Sequence, residues 1–141
     1  MSNCGKALVL KFVEEVVNRG NPRLLRALVS PDHVRHTSDG DLYGPEGVGI
    51  HIGEWRAGFP DLRVVVEDLI AEGDRVVSRF VLRGTHAGPF LWVPATGRAV
   101  AAAGVAVDRL AGNRLVESWI NLDVLGLLLQ LGVVPGLPEP E

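Results

Sequence analysis

A single cysteine, Cys4, occurs among the 141 residues, so no internal disulfide can form and the core alone must hold the fold. One free thiol suits a reducing compartment, and a cytoplasmic location is the expectation. The apolar runs are short and broken by charges, so no membrane-spanning helix is expected. Met1-Ser2-Asn3-Cys4-Gly5 lacks the basic segment and apolar run of a signal peptide. Lys and Arg number 14 against 17 Asp and Glu, a net charge of −3, with the two signs mixed along the chain. The basic stripe of a nucleic-acid surface is missing, and no nucleic-acid partner is expected. Four scattered histidines and one cysteine are a poor metal set, and no metal site is expected. His33 and His36, three apart on a brief strand, would face opposite sides. No P-loop, dinucleotide fingerprint or Gly-x-Ser-x-Gly elbow is present, which removes the usual signatures of nucleotide and serine-hydrolase chemistry.

What is there is an ordinary globular composition, 47% hydrophobic and 22% charged. The length is that of one domain and is enough to bury a core without staples. One domain over 1–141 is expected, with a core at about 5–132 and a tail at 133–141. Ala7, Leu8, Phe12, Val16 and Val17 recur at helical spacing and predict a helix over 5–19, ended by Gly20. Asn21-Pro22 restarts a short helix as cap and first residue, and Pro31 closes it. His33–Thr37 reads as a brief strand, Ser38–Asp41 as a turn, and Pro45–Phe59 as a third helix weakened by three internal glycines. Valine-rich stretches and turn residues then predict strands at Leu62–Ala71, Arg75–Thr85, Arg98–Leu110 and Arg114–Leu122, followed by a helix at Val124–Leu131. Helices first and long antiparallel strands afterwards argue an α+β fold, a curved antiparallel sheet wrapped around the N-terminal helices into a cone.

Alternation along the strands nominates the pocket residues. In the last strand, Leu115, Glu117, Trp119, Asn121 and Asp123 share one face, and Val116, Ser118, Ile120 and Leu122 share the other. The first face ends in polar groups amid apolar sequence, and an Asp beside Trp119, Leu125 and Leu127 would be partly desolvated. Desolvation raises a carboxyl pKa toward the range useful for acid/base work. Asp123 also stands just ahead of a helix, where Asp is a favoured cap. The second face is apolar enough to expect burial against another subunit. On the second long strand, Phe80 and Leu82 look inward and would carry His86 with them, as an oxyanion donor or proton shuttle. The third long strand is unusually small over Ala99–Gly104, leaving room for a ligand or a close subunit contact. Its inward candidates are Val105 and Val107, or Ala106. Trp55, Phe59, Phe90, Trp92 and Trp119 would wall a flat ligand, Asn121 would bind oxyanion charge, and His36 and His51 complete the candidate contacts. Phe90 and Trp92, in the loop from Ala87 to Gly97, are expected at the pocket mouth.

The ordered motifs Asn18-Arg19-Gly20-Asn21, Phe59-Pro60-Asp61-Leu62, Ala71-Glu72-Gly73-Asp74-Arg75-Val76-Val77, Gly84-Thr85-His86-Ala87-Gly88, Pro94-Ala95-Thr96-Gly97-Arg98 and Glu117–Asp123 with Gly126-Leu127 and Gln130-Leu131-Gly132 resemble the SnoaL-like polyketide cyclases, over roughly residues 8–132. The resemblance implies an NTF2-like cone, no cofactor, a hydrophobic polyketide-like substrate, a homodimer or tetramer, and a place in secondary metabolism such as antibiotic biosynthesis. It implies ring closure by intramolecular aldol condensation, with Asp123 as the matching acid/base, while His86 and Asn121, read from the strand faces, would stabilise oxyanion charge. A His expected on the third long strand in some cyclases is absent. Hydroxylase components, isomerases, epoxide hydrolases and non-catalytic binders are related readings on the same scaffold.

Overall fold

The apolar spacing at the start of the chain makes a helix, but one that changes pitch. In a computed structural model, which describes residues 2–133 and side chains from Cys4 onward, α1 spans Ser2–Lys11 and runs on as a π-helical segment over Phe12–Asn18. Most of the expected tail, 133–141, lies outside the described residues. Asn21 caps α2 (Pro22–Leu28) by accepting from the Arg23 amide, with proline at the first position. Strand β1 (Val29–Thr37) starts at once and runs through Pro31, where the sequence suggested a break, then turns into β2 (Gly40–Tyr43). Helix α3 (Gly44–Gly58) uses one of its glycines for close packing: a Cβ at Gly47 would lie 3.1 Å from Leu42 Cβ. Then come β3 (Arg63–Glu72), β4 (Arg75–Thr85), β5 (Ala99–Ala111), β6 (Arg114–Leu122) and α4 (Val124–Leu131), close to the sequence expectation. No helix among the described residues is long and apolar enough to cross a membrane.

The strand order is β2-β1-β6-β5-β4-β3, an open curved sheet with the helices against it, as the α+β cone requires. All neighbours are antiparallel except β1 and β6, which run parallel. That pairing sets Arg35 opposite Ser118 and His36 opposite Trp119. Two apolar clusters fill the concave side, one around Phe59, Phe80, Phe90 and Leu127, the other around Val9, Phe12, Val48 and Leu115.

Three of the side chains that bond main-chain groups elsewhere in the chain tie a helix or turn to a strand. Asn18 accepts from the Val64 amide at 2.7 Å and donates to the Val64 carbonyl at 3.0 Å. Asp61 accepts from the amide and hydroxyl of Thr85 at 2.7 and 2.8 Å. Gln130 takes both the amide and the carbonyl of Ala101, each at 2.8 Å. All three residues belong to the motifs that carry the family resemblance.

The faces of β6 are not those read from alternation. Arg114 pairs with Ala111 and Leu115 with Leu110, but the next pair is Glu117 with Arg109. Val116 is therefore an extra, unpaired residue, a β-bulge, and it flips the alternation beyond it. Leu115 faces the core as expected. After the bulge Ser118, Ile120 and Leu122 face inward, while Glu117, Trp119 and Asn121 face outward. The face expected against a second subunit thus meets the molecule's own interior.

On the outward face His36 lies between two carboxylates. Its Nδ1 is 2.8 Å from Asp41 Oδ1 and its Nε2 is 2.8 Å from Glu117 Oε2. A neutral imidazole has one N–H, so donation from both nitrogens requires the cation. Glu117 also accepts from Arg109 at 3.2 Å. The bonds to Glu117 and Asp41 hold the His36 pKa above its ordinary value, and His36 in turn lowers that of Glu117. A raised histidine stabilises the fold in full below the unfolded value of about 6.5 and loses that contribution as pH climbs through the folded value. Thermal unfolding of wild type and His36→Gln, from about pH 5 to about pH 9, should show a stability gap that narrows as pH rises. A gap that stays constant would mean His36 is not charged.

Candidate active site: polar groups in an apolar cavity

A cavity of about 120 Å³ lies between the helices and the inner face of the sheet. Its wall is mostly hydrocarbon, from Phe12 and Val17 of the first helix to Val64, Phe80, Ile120 and Leu122 of the sheet. The small residues of β5 serve both this space and the core packing. Ala106 lines the cavity, and at Gly104 a Cβ would approach Phe80 Cζ to 2.5 Å, so bare backbone is what admits the ring. Ser38, Asp39, Glu54 and Leu91 are exposed lining residues and mark the mouth.

Into this wall project Arg35 from β1, His51 and Trp55 from α3, Ser78 from β4 and Asp108 from β5. Asp108 is 5% exposed and Arg35 8%. Behind Asp108, Ser118 is fully buried, and its hydroxyl donates to Asp108 Oδ1 at 2.5 Å. His33 Nε2 stands 3.0 Å from the same hydroxyl oxygen. With Ser118 giving its proton to Asp108, Nε2 is the donor to Ser118. Burial pushes the Asp108 carboxyl above the usual range, against the pull of the Ser118 hydroxyl and the Arg35 charge. Burial lowers His33 to about 4, helped by Arg35, so the ring is neutral near neutral pH. Arg35 donates from Nε to His51 Nδ1 at 3.1 Å, and Trp55 Nε1 is 3.3 Å from His51 Nε2. Burial, then Arg35, lowers His51 to about 4 as well. Arg35 forms no ion pair with Asp108 among the described residues. A buried carboxyl with a raised pKa facing an open apolar space is the setting in which Asp acts as general acid and base.

A profile of the SnoaL-like polyketide cyclases matches residues 7–131. The chain belongs to that family. A protein of Jannaschia sp. CCS1, assigned as a SnoaL-like polyketide cyclase, shares 28% identity over 95% of each chain, with a TM-score of 0.87. IdmH of Streptomyces antibioticus, assigned as a polyketide cyclase, shares 32% over 92% of this chain and 99% of that chain, with a TM-score of 0.80. AclR of Streptomyces galilaeus, assigned as a hydroxylase, shares 31% over 99% of this chain and 87% of that chain, with a TM-score of 0.85. A search of curated proteins gives no significant match. The NTF2-like cone inferred for SnoaL-like proteins is therefore the fold of this one.

Of the candidates named from sequence, the cavity wall gathers Trp55, His51 and Phe90. Asp123 is elsewhere: it is exposed, lies outside the lining and accepts from the Gly126 amide at 2.9 Å as the cap of α4. The bulge at Val116 is the reason Asn121 and Trp119 miss the cavity too. Trp119 instead stacks on His36 and receives the Arg75 guanidinium at 5.2 Å. His86 is buried, as its strand face implied, but Nδ1 takes the Thr96 amide at 3.1 Å and the ring packs against Phe59, which anchors the following loop rather than lining the cavity. Phe59 is core, fully buried. In the loop, Phe90 turns inward against Trp55, with centroids 4.4 Å apart, whereas Trp92 is 71% exposed and outside the lining. Alternation alone missed Arg35, Asp108, Ser118 and His33. Asp108 had a usable signal, because it continues the inward small-residue series Ala102, Gly104, Ala106.

The two loop aromatics therefore separate. Phe90→Ala should cost about 3–5 kcal/mol, the scale for an aromatic deleted from a core. Trp92→Ala should stay within roughly 0.5 kcal/mol, as surface changes do. Urea unfolding of the two single variants measures both, and equal losses would contradict the placement.

Proposed function

We propose that this SnoaL-like protein is a cofactor-independent acid/base enzyme of the cyclase type, acting on a hydrophobic carbonyl compound, with Asp108 in the role the family resemblance gave to Asp123. The observation that carries the proposal is the buried Asp108 carboxyl on the wall of an otherwise apolar cavity. The carboxylate takes a proton from carbon next to a carbonyl, leaving an enolate. Arg35 stabilises the oxygen on which that charge collects. The enolate carbon attacks a second carbonyl of the same molecule, a carbon–carbon bond forms, and the new alkoxide takes the proton back from Asp108. The step is an isomerisation and consumes nothing. Ser118 holds the carboxylate by its hydroxyl, and Trp55 and Phe90 flank a flat substrate. Similarity to AclR favours hydroxylation in the same cavity as a second reading. Assembly into a homodimer or tetramer, part of the same proposal, would use the outward face of the sheet, where Val65, Ile70 and Val105 are exposed.

Proton abstraction can be measured without the natural substrate. Exchange of the α-hydrogens of 2-tetralone with deuterium oxide, followed by proton NMR, should be accelerated by wild type. Asp108→Asn should lower the catalysed rate about a hundredfold or more, the general acid/base scale. Asp123→Asn still caps α4 and should leave the rate near wild type. Carbon-13 titration should also place the Asp108 midpoint above the ordinary aspartate value of about 3.9. Loss of exchange in Asp123→Asn with full retention in Asp108→Asn would reverse the assignment.

A further inference from the structure

His51 is asked to accept twice. Arg35 Nε–H points at Nδ1 and Trp55 Nε1–H points at Nε2, at 3.1 and 3.3 Å. Guanidinium and indole nitrogens only donate, and a neutral imidazole carries a proton on one of its two nitrogens. Whichever nitrogen bears it, one N–H faces another N–H. The corner thus holds more donors than acceptors, and this does not depend on the tautomer. Arg35 adds to the excess: its Nη groups make no hydrogen bond to protein among the described residues, although the residue is only 8% exposed and lines the cavity. Such a buried cation without a partner is costly unless something supplies oxygens to it. Asp108, a buried acid on the same wall, is not hydrogen-bonded to it, and one of its two oxygens, Oδ1, accepts from Ser118. Asp39 and Glu54 also reach the cavity wall, but both are exposed at the mouth and neither bonds Arg35.

We propose that Arg35, His51 and Trp55 form a subsite for a planar, two-oxygen monoanion, a carboxylate or the enolate of a 1,3-dicarbonyl, carried on a hydrophobic ring compound. The inference rests on the cavity being the substrate site and specifies the substrate's charge: the molecule enters with its negative end toward Arg35. A guanidinium fork matches two coplanar oxygens and a lone carbonyl leaves half of it unused. An acceptor at this corner also removes the N–H to N–H conflict, because His51 can turn its own N–H, or release one of the two donors, toward the ligand. Trp55 and Phe90 cover the ring portion. Nothing at the corner would accept from an ammonium group, so a cationic ligand is disfavoured on the same count.

The test uses isosteres that differ in charge. Calorimetric titration at neutral pH compares 2-naphthoate with neutral 2-naphthamide. The carboxylate should bind at least about tenfold more tightly, as hydrogen bonds to a charged partner imply. Arg35→Gln should abolish the preference, and Arg35→Lys should keep part of it through charge alone. If Arg35→Gln fails to fold, Arg35→Met, of similar length, takes its place. Equal binding of the two compounds, no binding of either, or a preference that survives loss of the Arg35 charge would overturn the proposal. Benzoylacetone separates the sources: binding with appearance of its enolate absorbance identifies the enolised dicarbonyl, and binding of naphthoate alone identifies the carboxylate. Asp108→Asn should keep the preference for naphthoate. Wild-type exchange of 2-tetralone without any such preference would defeat this inference and leave the acid/base role intact, while a preference without exchange would do the reverse.

Discussion

Between Leu115 and Glu117 the closing strand carries one residue more than its partner, and the contents of the cavity depend on that excess. Without the bulge, Leu115 on the core side would draw Glu117, Trp119 and Asn121 inward after it. Two carboxylate-bearing or amide groups and an indole would then compete for a space now bounded by Ile120 and Leu122. With the bulge, Ser118 comes in opposite Arg35 on the parallel neighbour β1 and beside Asp108 on the antiparallel neighbour β5. Three strands thereby converge on one polar cluster, His33 and Arg35 from β1, Ser118 from β6 and Asp108 from β5. The displaced residues are not wasted: Glu117 and Trp119 reappear outside, where they clasp His36 and fix β1 to β6 from the convex side.

The cluster opposes stability. Arg35 and Asp108 are both nearly buried, and taking two charges from water costs more than an unpaired geometry returns. Asp108 answers by shifting its pKa upward, which lets it hold a proton where an exposed aspartate would not. A core selected for stability alone would carry leucine or valine at these positions. Their presence among Val64, Phe80 and Ile120 sets the cavity apart from a packing defect, because a dry apolar void needs no ions in its wall.

The element order was legible because valine-rich stretches and the turns at Gly73 and Gly112 punctuate the chain plainly. The short β2 was not, since four residues, Gly40–Tyr43, give no periodicity to read. Nor was the start of β1, because a proline at an edge or irregular position is compatible with a strand, and the β1–β6 register shifts between Val29 and Val34. The site was illegible for a sharper reason. Leu115-Val116-Glu117 contains no glycine or proline to announce a bulge, so strict alternation put every later β6 residue on the wrong face.

Family motifs did not repair that error, and the hydrogen bonds explain why. Asn18, Asp61 and Gln130 each bind main chain on a distant strand, and Asp123 caps a helix. These residues fasten the cone, so the motifs that contain them report the scaffold. The polar groups Arg35, His51 and Asp108 that face the cavity lie between the motifs, where the fold demands only that a side chain point inward. A change of residue there alters the chemistry without unfastening the sheet. The similar structures include proteins assigned as cyclases and one assigned as a hydroxylase, so the scaffold by itself does not name the reaction. For this chain, the reaction has to be argued from the inward positions of β1, α3 and β5, where Arg35, His51 and Asp108 stand.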